Sequence, residues 1–153
     1  MVDCLLPQSS AFREVQVAYI SSKQQRDDIK MDVFASIAPG SPPMACGREI
    51  YRVRITSVHA RYCAPGTGNY KFNINPNTLR ADYELWICGN PKHWYLIPSD
   101  LLRQIYKHPA AYCDSHHSEI RVVSVNAGTH KAGYAAPSIT FDLSPYFGAL
   151  LHV

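Results

Sequence analysis

Between Glu49 and Tyr62 the chain alternates, with Tyr51, Val53 and Ile55 falling on one side and Arg52, Arg54 and Thr56 on the other. A period of two is the pattern of a pleated strand with one buried face, because successive side chains point to opposite sides. The turn-forming run APGTGN follows, and strand-like residues resume from Tyr70 to Ile74. The spacing therefore predicts a long hairpin with one apolar side, which commits much of the chain to antiparallel sheet.

The remaining segments are short and punctuated by eleven prolines and eight glycines, with no internal repeat or heptad. Lys30 to Ile37 is expected to be a strand, ended by the proline- and glycine-rich PGSPPMACG. Ala81 to Cys88 and His93 to Ile97 form a second expected hairpin around GNPK. Pro98 closes it, and Ser99 is positioned to cap a helix from Asp100 to about Tyr106 whose Leu101, Leu102 and Ile105 make an apolar stripe. Strands are expected at Ile120 to Val125 and Ser138 to Asp142, then a short helix from Ser144 and Pro145. Ala11 to Ile20 suits a strand or a helix equally. The expected fold is α/β of the α+β kind: a mixed, largely antiparallel sheet with a long basic hairpin and a few flanking helices. One domain over residues 1–153 is expected, with 30–153 as its core and 1–29 an unassigned N-terminal segment.

With 46% apolar residues the chain has enough material for a core. The start, MVDCLLPQSS, lacks a basic region followed by an apolar run, and no later segment offers the roughly 20 apolar residues of a membrane helix, so a soluble protein with no membrane partner is expected. Five cysteines without a CxxC pair suggest reduced thiols and a cytoplasmic setting. The net charge of +3 is unevenly placed: Arg48, Arg52, Arg54, Arg61, Lys71 and Arg80 stand against Glu49 alone between residues 48 and 80. Such segregation suits a polyanion-binding surface, and it also suits a solvated hairpin.

The ordered segments MDVFA, YRVRITS, GTGNYKFNI, ADYELWICG, HWYLIPSDLL and FDLSPYFGAL together resemble the PD-(D/E)XK nuclease superfamily, particularly its small intron-associated and restriction-like members. The resemblance covers about the last four-fifths of the chain. It implies a restriction-endonuclease-like fold, a Mg²⁺-dependent DNA endonuclease activity and DNA as partner. It places Asp32 as the metal-binding acid, Arg54 at the motif's Glu/Gln position and Thr56 at its Lys position, with Glu14 as the acid near the N-terminus. A guanidinium cannot ligate Mg²⁺, so the motif is degenerate. Lys71 is either a replacement for the missing lysine or an ordinary solvent-facing one. Phosphates would be met by Arg48, Arg52, Arg54, Arg61, Lys71 and Arg80.

Cys113, His116 and His117 lie close together, flanked by His108 and His130, but lack the paired spacing of a zinc site; an exposed loop is expected. No GxSxG elbow is present, and the GTG at Gly66 to Gly68 is expected to be a turn. Two function classes follow. One is a nucleic-acid-binding protein of nuclease fold, active or catalytically reduced. The other is a β-rich interaction or assembly subunit, forming a homodimer or joining a partner protein through Tyr and Trp surfaces.

Overall fold

A computed structural model describes residues 22–66 and 68–152. The segment from Ala11 to Ile20, Glu14 and Cys4 lie outside them. The order is α1 (Ser22–Ile37), β1 (Met44–Gly47), β2 (Ile50–Val53), β3 (Thr56–Cys63), β4 (Asn69–Ile74), β5 (Tyr83–Cys88), β6 (Trp94–Pro98), α2 (Ser99–Tyr106), β7 (Arg121–Asn126), β8 (Lys131–Ala135), β9 (Ile139–Asp142) and a 3-10 turn (Ser144–Tyr146). One sheet runs β1-β2-β3-β5-β6 and the other β4-β7-β8-β9. Only β3 and β5 pair in parallel, so the expected α+β class with mixed, largely antiparallel sheets holds.

The first sheet is the middle layer. On β5 the side chains alternate, Leu85 and Ile87 joining Val33, Phe34 and Ile37 of α1, while Trp86 and Cys88 join Phe72, Ile74, Val123 and Val125 of the second sheet and Leu102 and Ile105 of α2. Trp86 stacks on Phe72 with ring centroids 4.8 Å apart. A strand apolar on both faces must lie between two layers, and β5 does.

Three expectations are corrected. Lys30 to Ile37 is helix, not strand: Lys30, Val33, Phe34 and Ile37 are its buried residues, spaced as one face of a 3.6-residue period. The single strand over Glu49 to Tyr62 is two strands, broken at Arg54, whose φ of 57° lies in the left-handed region. Val53 pairs with Thr56 across that turn, leaving Val53 buried and Ile55 89% exposed, so the two do not share an environment. Finally, Tyr70 to Ile74 does not return along β3. β4 pairs with β7, and the far edge of β3 is taken by β5. The patterns explain the exchange: β4 buries Phe72 and Ile74 but exposes Lys71, which suits an outer sheet.

The second hairpin forms as expected, Tyr83 opposite Pro98 through Ile87 opposite Trp94. The α2 cap is shifted by one residue: Pro98 holds the cap position, and the buried Ser99 Oγ inside the helix has no hydrogen-bond partner. β7 and β9 fall at the expected strands, β8 lies between them where none was expected, and the terminal helix is the single turn at Ser144–Tyr146. Cys46, Cys63, Cys88 and Cys113 are free thiols; burial pushes that of Cys88 up to about 12. No helix among the described residues is long and apolar enough to cross a membrane.

Gly89 closes the β5–β6 hairpin at φ 80°, its N–H donating to the Cys63 carbonyl and its carbonyl accepting from Tyr62 Oη. A Cβ there would lie 2.8 Å from Tyr70 Oη. Gly89→Ala is expected to cost about 1–2 kcal/mol from the left-handed backbone, read as a lower denaturant midpoint at unchanged slope.

Candidate functional site

β2 begins at Ile50, opposite His59 of β3. Ala60 N–H still donates to the Glu49 carbonyl, but Arg61 to Cys63 continue past the end of β2. The opening between this strand edge and α1 is a cleft of about 830 Å³. α1 lines it with Lys23, Arg26, Asp27 and Lys30, the β2 side with Arg48, Glu49 and Tyr51, and β3 with Arg61 and Tyr62. Five cations thus meet two carboxylates, which leaves an excess of positive charge in a recess where low-dielectric walls strengthen it.

The two acids are already neutralised. Asp27 accepts from Lys23 Nζ at 2.9 Å, and that bond holds its carboxyl below the usual range. Glu49 Oε2 accepts from Lys30 Nζ at 3.1 Å and lies 3.3 Å from Arg61 Nε. The Lys30 side chain is only 3% exposed, reaching Glu49 from the buried face of α1. Burial pushes the Glu49 carboxyl up, but Arg61 and Lys30 outweigh it and hold the group below the ordinary glutamate range. A group depressed in this way contributes stability that is complete above its unfolded value and is lost as pH falls through the lower folded value. Wild type is therefore expected to lose its stability margin over Glu49→Gln on the acid side, as chemical denaturation across pH would report.

Behind Arg61 on the same strand face, His59 Nδ1 lies 2.9 Å from Glu84 Oε1 and 3.0 Å from Oε2, and Trp86 Nε1 donates to Oε1 at 3.2 Å. His59 and Glu84 are directly opposite in the parallel pairing, and both are buried. The Glu84 carboxyl group thus engages His59 and Trp86 together. This polar knot fixes the part of β3 from which Arg61 projects.

The residues first expected to form the site do not come together. Asp32 is exposed on α1, about 200° around the helix from Lys30. Arg54 sits in the β2–β3 turn, its Nε donating to Ser41 Oγ at 3.0 Å, and Thr56 starts β3 at the end remote from Arg61. No ion pair or hydrogen bond links these three. Of the basic row, Arg48 and Arg61 line the cleft. Arg52, Arg54, Lys71 and Arg80 are exposed elsewhere. Lys30, His59 and Glu84 were missed as members of one site. Lys30 and Glu84 carry no spacing that marks them, whereas His59 lies with Arg61 ten and twelve residues after the acid Glu49.

The cleft does not fit Mg²⁺, which needs several oxygen ligands. Its deeper carboxylate is engaged by two cations, and no group of three His, Cys, Asp or Glu among the described residues is placed to hold a metal. The histidines weighed for zinc are dispersed. His108 packs edge-on against Tyr134, and His116 and His117 cap onto the Asp114 carboxylate through their backbone N–H groups. His130 Nδ1 meets Tyr95 Oη at 2.7 Å, and His93 Nε2 meets the same hydroxyl at 3.0 Å. This histidine–tyrosine–histidine bridge ties β6 to the β7–β8 turn.

Comparison with known proteins finds no matching family model, no similar curated protein and no similar solved structure.

Proposed function

We propose that the chain is a nucleic-acid-binding protein of nuclease-like build, catalytically reduced, whose cleft grips the phosphate backbone without cutting it. The observation that carries this reading is Glu49: a single carboxylate oxygen held between a buried lysine and an arginine, inside a recess with three further cations. Phosphate oxygens make the same charge-assisted contacts. Lys30 and Arg61 engage the Glu49 carboxylate that a metal ion would need, and they repel a divalent cation.

A nuclease-like reading needs a register other than the one carried by MDVFA and YRVRITS, because MDVFA is helix. Glu49 then takes the place of the motif's acid, and His59 and Arg61 take its Glu/Gln and Lys positions on the next strand. The parity is right, since residues two apart share a face. His59 is turned to Glu84 instead of to a metal.

The test is binding to a labelled DNA oligonucleotide over a range of salt. Three or four neutralised phosphates predict a log–log slope of about −3 to −4 on a duplex and about −2 to −3 on a single strand. Plasmid incubated with Mg²⁺ or Mn²⁺ is expected to stay intact. A slope near zero would remove the phosphate reading, and metal-dependent cleavage abolished by Glu49→Gln would restore an active nuclease. Salt-independent self-association in sedimentation, with no binding to DNA, would instead favour an assembly subunit.

A further inference from the structure

We infer that the cleft takes an unpaired strand in preference to a duplex, seating its bases against Tyr51 and Tyr62. This rests on the nucleic-acid reading above and adds the class of ligand.

Three observations lead there. The first is size. At about 830 Å³ the recess falls within the roughly 300–1,000 Å³ of clefts that enclose drug-sized ligands. One or two nucleotides match that volume. A duplex keeps its bases stacked inside, so only phosphates at its rim would reach such a space, whereas a single strand can send bases in.

The second is the pair of aromatic side chains. Tyr51 is opposite Val58, and Tyr62 follows four residues further along β3 on the same face, the one turned to α1. At about 3.3 Å per residue they stand roughly 13 Å apart along the strand direction. Between their levels lies the Glu49–Arg61 contact. Each ring is only partly buried and is held from behind. Tyr51 packs on Phe34 with centroids 5.1 Å apart, and Tyr62 Oη donates to the Gly89 carbonyl at 3.1 Å. Rings fixed this way lose little freedom when a base stacks on them. Aromatic platforms beside a cationic track are how proteins hold single strands.

The third is what the walls lack. Among the described residues, no Asn, Gln, Ser or Thr lines the cleft. Those side chains read base edges by hydrogen bonding, whereas stacking accepts any base. Arg26 of α1, Arg48 and Arg61 are left to meet phosphates, contacts that carry no base sequence, so binding is expected to depend little on sequence.

The experiment compares a fluorescein-labelled mixed-sequence 12-nucleotide DNA strand with the duplex of the same sequence, by anisotropy at one low salt concentration. Wild type, Tyr62→Phe, Tyr62→Ala and Tyr51→Ala are measured, with thermal melts to confirm that each folds. The single strand is expected to bind at least about tenfold more tightly than the duplex. Tyr62→Ala should lose about tenfold on the single strand and little on the duplex, and Tyr62→Phe, which keeps the ring but loses its bond to the Gly89 carbonyl, should lose clearly less, about twofold. A duplex bound as well as the strand, or equal losses in the Phe and Ala variants, would overturn this inference and leave the phosphate-binding reading standing. Binding to neither probe at low salt would remove that reading itself.

Discussion

Glu84→Ala is expected to destabilise the fold by about 3–5 kcal/mol, the cost of removing one member of a buried polar pair. The carboxyl group bonds His59 Nδ1 and accepts from Trp86 Nε1, and both partners are enclosed between the sheets. Alanine would strand both partners and open a cavity beside Trp86. Since a whole domain is stable by only about 5–15 kcal/mol, the variant should melt on the order of 10 °C lower. Glu84→Gln keeps an oxygen at the Oε1 position, which both partners reach, and should lose clearly less. A Gln variant as unstable as Ala would show that charge, not hydrogen bonding, holds the knot; an Ala variant within about 1 kcal/mol of wild type would refute its structural weight.

The double variant Arg48→Ala/Arg61→Ala is expected to bind a DNA oligonucleotide about 100-fold more weakly and to flatten the salt slope by about two. Each charge-assisted contact contributes about 1.5–3 kcal/mol and one neutralised phosphate. Arg61 should account for more than half, because its loss also leaves Glu49 closer to a full negative charge facing the ligand, with only Lys30 to oppose it. Lys71→Ala and Arg80→Ala are the counterpart: both residues are exposed and neither lines the cleft, so each should change affinity less than about twofold. Equal losses at all four positions would point to diffuse surface charge in place of a defined recess.

The elements that came directly from the sequence are those whose partners are close along the chain. The β5–β6 hairpin around GNPK and the stripe of α2 were both legible, because a turn and an adjacent apolar pattern decide them locally. α1 differs from the expected strand for a related reason: Val33, Phe34 and Ile37 already stand at helical spacing, but over eight residues their β-branched and aromatic side chains also suit a strand, and the third buried turn is marked by Lys30. A lysine is the residue a reader least expects on a buried face. The turn at Arg54 carried no glycine or asparagine to mark it, and a non-glycine residue at positive φ is rare enough that nothing local announces it.

What the amino-acid order determined alone was the inventory: alternating strands, a short amphipathic helix, unpaired thiols and a concentration of arginine before residue 80. Which strand lies beside which, and so which charges meet, was decided only in three dimensions. Because β5 is apolar on both faces it takes the interior place next to β3, sends β4 to the outer sheet and sets Glu84 opposite His59. Because β2 begins only at Ile50, the tail of β3 is left open for a buried lysine on a helix nineteen residues earlier to reach Glu49. Periodicity is a property of neighbours in the chain; the pairing of ions depends on long-range packing, and no local pattern encodes it.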